Sequence, residues 1–331
     1  MTNTEQRQRP RRDIHAPYDF FEYVRIDDGS VPPADKNRLD VAVLDMNHSW
    51  PNVGHDSLVH AVLAAAAELR DEIVAASIKV RVTSYDVRRR LQIPSAPNGR
   101  FQLYVGTGGP GHLDPRMNNG RTAESQGINE SLEWEAPLFH LFDAILASER
   151  AAMLAVCHSF GLMCRWSGVA TVHLREEKSS GMPTNVLTDQ VATHPWFSQF
   201  ADQLPDHRHF RVIDNRLFDL QLESAGKAFP VAFESEHSEA LTMVEFARSG
   251  AMPRVLGVNH HPEIVDRGHV LQVLDQKRKH GDVDEQWFRE RQQTMREMLH
   301  GETEEQSRLT SYFTLLGPLR HHLARLIEER A

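Results

Sequence analysis

Apolar residues along this chain fall in short runs between polar loops. The runs at residues 39–46 (LDVAVLDM) and 152–156 (AMLAV) are almost continuous rather than alternating. A strand reads this way when both of its faces are buried, the condition inside a parallel sheet covered by helices. Residues 78–84 (IKVRVTS) alternate and are β-branched, and 101–105 (FQLYV) form another short run, so both are predicted strands. Residues 57–76, 138–146 and 159–169 have helical length and apolar faces. Strands alternating with helices predict an α/β class, a mostly parallel central sheet flanked by helices.

From residue 209 to 258 the pattern changes to short strands, at 210–213, 228–234, 241–246 and 255–258. Beyond Asp266 the chain becomes helical and charged, and Gly301 and Gly317-Pro318 are expected to divide this C-terminal extension into two or three helices. Residues 1–37 are polar and rich in Arg, Asp and Pro, a tail expected to dock through its aromatic island of Tyr18, Phe20, Phe21 and Tyr23. The expected organisation is a tail over 1–37, an α/β domain over 38–266 and a helical extension over 267–331.

Composition narrows the function classes. The 331 residues are enough for one large domain or two ordinary ones, and the net charge of −9 argues against a nucleic-acid partner. The longest apolar runs, near 61–67 and 151–157, are far shorter than a membrane span requires. No apolar stretch follows the basic start at Arg7, Arg9, Arg11 and Arg12, so a secretory signal is not expected. Two cysteines make no disulfide framework, which points to a reducing, cytoplasmic setting. Neither Cys nor His falls at structural-zinc spacing; Glu234-Ser235-Glu236-His237 is read as a solvated edge, and no metal is expected.

Three segments carry candidate chemistry, each at the end of a predicted strand. In Ala155-Val156-Cys157-His158-Ser159-Phe160-Gly161 a cysteine sits between a buried strand and a helix with small residues behind it, the layout of a nucleophile elbow. Alone, that is a weak signal, because a cysteine at a strand end is more often inert core. Gly106-Thr107-Gly108-Gly109-Pro110-Gly111 follows the third strand, where backbone N–H groups can face a developing oxyanion without side-chain obstruction. It lacks the Lys-Ser/Thr of a phosphate-binding loop. In Gly257-Val258-Asn259-His260-His261-Pro262-Glu263 a histidine is available to take a thiol proton, and a carboxylate two residues on to fix its tautomer.

Taken in chain order, glycine turn, cysteine elbow and then His-Pro-Glu, the segments resemble the class I glutamine amidotransferases, whose pattern runs Gly-Gly-Pro-Gly, then Gly-x-Cys-x-Gly-x-Gln, then Gly-Val-Gln-Phe-His-Pro-Glu. The resemblance spans roughly residues 38–266. Gly108 to Gly111 match the first motif, Cys157 the nucleophile, and Gly257, Val258, His261, Pro262 and Glu263 the third. His194-Pro195-Trp196-Phe197 is similar to a His-Pro-Leu-Phe segment of the family. The resemblance implies a Cys157–His261–Glu263 triad that hydrolyses the side-chain amide of glutamine through a γ-glutamyl thioester. It further implies an oxyanion hole from the N–H groups of Gly109 and His158 beside Gly108, and no cofactor. No synthetase domain is visible in the chain, so a separate synthetase that receives the ammonia is the partner this implies.

The departures bear on the substrate. Ser159 stands where the family has glycine, and Gly161 where it has the glutamine that helps hold the substrate. Two alternatives therefore stand beside the glutaminase: a γ-glutamyl hydrolase or acyl-transfer enzyme with the same triad, and a non-catalytic scaffold on this fold. Of the remaining residues, Cys164 is expected in the core, His260 on the face opposite His261, and Asp45, Asn47 and His48 in a loop without a ligand role. His158 is read equally as lining the pocket or as solvated. Trp287, Phe288, Tyr312 and Phe313 are expected to supply packing.

Overall fold

The computed structural model describes residues 18–26, 30–48, 52–224, 226, 228–236, 239–279, 281 and 283–330. Its strands are β1 (Phe21–Arg25), β2 (Arg38–Asp45), β3 (Lys79–Asp86), β4 (Phe101–Gly106), β5 (Ala152–Val156), β6 (Ala170–Gly181), β7 (Thr184–Leu187), β8 (His209–Arg211), β9 (Asp214–Leu222), β10 (Phe229–Glu234), β11 (Leu241–Ser249) and β12 (Met252–Val258). The helices are α1 (Val53–Glu68), α2 (Arg70–Ala75), α3 (Val87–Arg90), α4 (Glu135–Ala147), α5 (His158–Ser167), α6 (Phe197–Gln203), α7 (Arg267–Lys279), α8 (Glu285–Met298), α9 (Gly301–Ser311) and α10 (Gly317–Glu328). One sheet runs β1-β3-β2-β4-β5-β12-β11-β10-β7-β8, and β6 and β9 form a separate antiparallel ribbon. Pairing is parallel from β1 to β12 and antiparallel from β12 to β8. The mostly parallel α/β sheet with a helical C-terminal part is therefore present, with an antiparallel wing added on one side.

The continuous apolar runs do what a doubly covered strand must. Val41 and Val43 of β2 point into a core cluster shared with α1, α6 and α10, while Ala42 and Leu44 point into a second cluster shared with α4 and α5. Successive side chains on a strand face opposite sides, so one short run supplies two cores. No helix among the described residues is long and apolar enough to cross a membrane.

Three sequence expectations need correction. Part of the expected tail is in the sheet: Phe21–Arg25 pairs in parallel with β3, and Phe20 and Phe21 are buried, because the aromatic island gains more by completing the sheet edge than by lying on it. Residues 1–17 lie outside the described set. Strands β6, β7 and β9 lack a clear sequence pattern; β6 alternates weakly and carries Glu176, Glu177 and Lys178 exposed in a row. Finally, Gly317-Pro318 does not break the last helix. Residues 312–316 form a π-helical turn, and the Gly317 N–H reaches back to the Tyr312 carbonyl, so the helix absorbs the missing proline donor by widening one turn.

The π turn is also where the extension locks onto the α/β domain. The Trp196 indole N–H donates to the Phe313 carbonyl at 2.8 Å, and the Trp196 and Phe313 rings lie 5.2 Å apart. A Cβ on Gly317 would stand 2.8 Å from the Tyr312 carbonyl oxygen and 2.9 Å from the Trp196 ring. Gly317→Ala is expected to destabilise the protein by about 1–3 kcal/mol despite the better helix propensity of alanine. Chemical denaturation reads the change; a gain in stability would show that this contact yields at no cost.

Candidate active site

Parallel pairing on both sides of β5 puts three loops at one sheet edge. Gly106 pairs with Ala155, and Val258 with Val156, so the loops after β4, β5 and β12 leave from the same level. The carboxyl end of parallel strands is where open α/β sheets hold ligands. Cys157 caps α5 with φ 49° and ψ −103°, a strained conformation for a non-glycine residue. Its N–H donates to the Val258 carbonyl at 2.7 Å, and its carbonyl accepts from Gly161 N–H at 2.9 Å. Both ends of the turn are thereby fixed, the means by which a fold sustains such strain.

His261 meets this cysteine from the β12 side. Its backbone N–H donates to the Ile213 carbonyl at 2.8 Å, and its Nδ1 lies 2.8 Å from Glu263 Oε1, with Cys157 also close enough to act on the ring. Burial opposes charge on this imidazole, but the Glu263 carboxylate and the Cys157 sulfur outweigh it and hold His261 well above its ordinary pKa. Gly108 passes close to both: a Cβ there would be 3.0 Å from His261 Cε1 and 3.8 Å from Cys157 Sγ. His158 opens α5, so its backbone N–H is one of the unpaired donors of a helix start. Its side chain is buried and lines the cavity; burial, with the Arg88 guanidinium nearby, holds its pKa well below the ordinary value.

The glycine turn is held by residues whose roles the sequence did not announce. Arg88 donates to Glu130 at 2.7 and 2.8 Å and to the carbonyls of Met46 and Pro110 at 3.0 and 2.6 Å. Its side chain is 0% exposed and that of Glu130 1%. Burial raises the cost of the Glu130 charge, but hydrogen bonds from His48, Arg88 and Asn118 outweigh it and hold the carboxyl below its usual range. Asp45, Asn47 and His48 join the same hydrogen-bonded network. Asn47 donates to Asp45 at 2.9 Å, lies 3.3 Å from Thr107 Oγ1 and lines the cavity, while His48 contacts Glu130 at 3.2 Å. Arg88 sits in a Val-Arg-Arg-Arg stretch that looks like a solvated charge run, so nothing local marks it out.

Both departures in the elbow have partners. Ser159 Oγ donates to the Thr107 carbonyl at 2.7 Å, and a Cβ on Gly106 would be 2.5 Å from that oxygen, so the serine fits because the facing residue is glycine. At Gly161 the space a side chain would take is filled by Leu113, which also lines the cavity.

A cavity of about 550 Å³ opens from Cys157, within the roughly 300–1,000 Å³ typical of small-molecule sites. Its lip is the β6–β9 ribbon, and its outer wall is α7 and α8. Arg175 and Arg216 hold the ribbon through Asp219 and the buried Glu234, with Arg216 also on Asp214 at 3.1 Å. Glu234 is therefore a buried anchor and not a solvated edge; His237 of the same segment lies outside the described residues. His260 points away from the cavity, edge-on to Phe210, and burial lowers its pKa to about 3. Cys164 is buried in the core, and burial pushes its thiol well above the ordinary range. No group of three or more His, Cys, Asp or Glu able to hold a metal is present among the described residues. Of the aromatic residues expected to pack, Phe288 and Phe313 are buried, Trp287 packs against the Phe288 cluster while also lining the cavity, and Tyr312 is half-exposed with its ring against Trp196 and Phe313.

No protein-family model and no curated protein matches this chain. Among solved structures it is similar to a glutamine amidotransferase from Thermotoga maritima, at 13% identity over 88% of this chain and 99% of that one, with a TM-score of 0.48. A glutamine amido transferase from Methylobacillus flagellatus is similar at 15% identity over 88% of this chain and 94% of that one, with a TM-score of 0.47. A putative GMP synthase subunit from Thermoplasma acidophilum is similar at 13% identity over 74% and 98%, with a TM-score of 0.40.

Two measurements test this geometry. In Glu263→Gln the imidazole of His261 should titrate at lower pH than in the wild type, because the carboxylate that favours its charged form is gone. NMR of the ring nitrogens follows it, and an unchanged midpoint would remove Glu263 as the controlling partner. Gly106→Ala should destabilise by about 1–3 kcal/mol and cost much less in a Ser159→Gly background, a coupling read from a double-mutant cycle. Additive effects would mean that the two residues do not compete for space.

Proposed function

We propose that this chain is a cysteine-dependent amidohydrolase of the glutamine amidotransferase type, with Cys157 as nucleophile, His261 as general base and then acid, and Glu263 as the residue orienting His261. The observation that carries the reading is the alignment of a strained cysteine, a raised-pKa imidazole and a buried carboxylate around one cavity. In the first step His261 takes the thiol proton as Sγ attacks the amide carbonyl. The carbonyl oxygen gains negative charge next to the N–H groups of Gly109 and His158, which serve as the oxyanion hole beside Gly108. Donors already in place cost no reorganisation, and each is worth about 10²–10³ in rate.

The C–N bond then breaks, His261 returns the proton to the departing nitrogen, and a thioester remains on Cys157. Water, deprotonated by the same imidazole, hydrolyses it to the carboxylate and frees the thiol. Glu263 stabilises the imidazolium of both steps. Both cysteines are free, in keeping with work in a reducing cytoplasm. Ammonia released from glutamine would be consumed by a separate synthetase.

A second reading is favoured by one observation. Leu113 fills the place beside Gly161, so the glutamine side chain expected there has an apolar substitute, and the cavity beyond is large. A γ-glutamyl amide bulkier than glutamine, cleaved or transferred by the same residues, fits that space.

Cys157→Ala should lower amide hydrolysis by at least about 10³-fold. Intact mass spectrometry after exposure to a glutamine-shaped diazo-ketone should show one adduct on the wild type and none on the variant, with the buried Cys164 unmodified. An adduct or full activity persisting in Cys157→Ala would overturn the assignment.

A further inference from the structure

The cavity is asymmetric about the proposed nucleophile. On the side of Gly108, Gly109 and His158 it is lined by the glycine turn and the start of α5, with Leu113 beside them. On the side of His261 its part-exposed apolar lining is Val283, Trp287 and Met298, packed against a core cluster of their own between the His261 loop and helices α7 and α8. The imidazole passes its proton to the departing amine, so the amine half of a substrate must lie on the His261 side. That is the side with the apolar wall.

Charge is placed there as well. Lys178 of the ribbon, Lys277 of α7 and Arg291 of α8 each reach the cavity from a different element. Arg291 lies over the Trp287 ring at 5.6 Å from its centroid, a packing that holds a guanidinium plane against an apolar surface. Lys178 and Arg291 form no ion pair among the described residues. The lining carboxylate, Asp214, is held by Arg216 and Ser179 through Oδ2. Three cations around an apolar trough describe a site for a ligand that is apolar in its middle and negative at its end.

Resting on the amidohydrolase reading, we propose that the substrate is a secondary amide whose amine half carries an aromatic or branched aliphatic body ending in a carboxylate or phosphate. The body lies on Val283, Trp287 and Met298, and the anion meets Arg291, with Lys178 and Lys277 nearby. Cleavage is balanced by water alone: the C–N bond breaks to release the free amine, and hydrolysis of the thioester returns the acid and the Cys157 thiol.

The test is a comparison of kcat/KM on γ-glutamyl amides of methylamine, benzylamine and 4-(aminomethyl)benzoate, with glutamine alongside. All three are amides of primary alkylamines, so the chemistry at nitrogen is closely matched and the differences report the cavity. The benzylamide is expected to exceed the methylamide by about tenfold or more. The carboxylated benzylamide is expected to exceed the benzylamide by about tenfold, a margin that shrinks as salt rises. Arg291→Met should narrow that second ratio to within about twofold. Equal turnover of the three amides, or turnover of glutamine alone, would overturn the inference and leave the amidohydrolase intact. No turnover of any of the four, together with no diazo-ketone adduct, would overturn both.

Discussion

The site depends on the register of one short strand. β5 has parallel neighbours on both sides, and its five residues are wholly buried, so it cannot slide by one position without turning every side chain to the wrong core. That register sets Gly106, Val156 and Val258 at one level and makes the next residues in each loop neighbours. Cys157, Gly108 and His261 lie about 50 and 100 residues apart in sequence. They meet because the sheet ends where it does.

Around that edge the protein uses buried charge to hold loops that carry no regular structure. Arg88 and Glu130 clamp the glycine turn to the end of β2, and Arg175 and Arg216 clamp the β6–β9 ribbon to β10. Each pair gives up hydration, and a buried pair often does little better for stability than apolar residues of the same shape. What the pairs contribute is direction: an arginine with several acceptors fixes a loop at several points, whereas an apolar contact leaves it free to slide. The same devices keep the groups around Cys157 in place before any substrate arrives, the condition for electrostatic stabilisation without reorganisation.

The C-terminal helices serve both ends of this arrangement. α10 packs on α1 and β12 and is joined to the rest through the π turn beside Trp196, while α7 and α8 extend over the cavity. The extension is therefore both core and wall. It supplies apolar surface on the His261 side of the cavity.

Much of the sheet edge around Cys157 was legible in the sequence, because it is local. Continuous apolar runs mark doubly buried strands, small residues mark a sharp turn, and a His-Pro-Glu segment keeps base and carboxylate within reach of each other; each depends on a few adjacent residues. The weak strands β6, β7 and β9 were not legible, since alternation is blurred where a ribbon turns charged side chains both to solvent and to buried partners. Nor were the roles of Arg88, Glu130, Glu234, Leu113 and Trp287. A charged residue in a polar run looks the same whether it is solvated or clamped, because its partner is dozens of residues away. The sequence by itself determined which elements form and which residues end the strands. Only the tertiary structure decided what surrounds them, because burial and pairing arise from register and packing between distant segments, which no local pattern encodes.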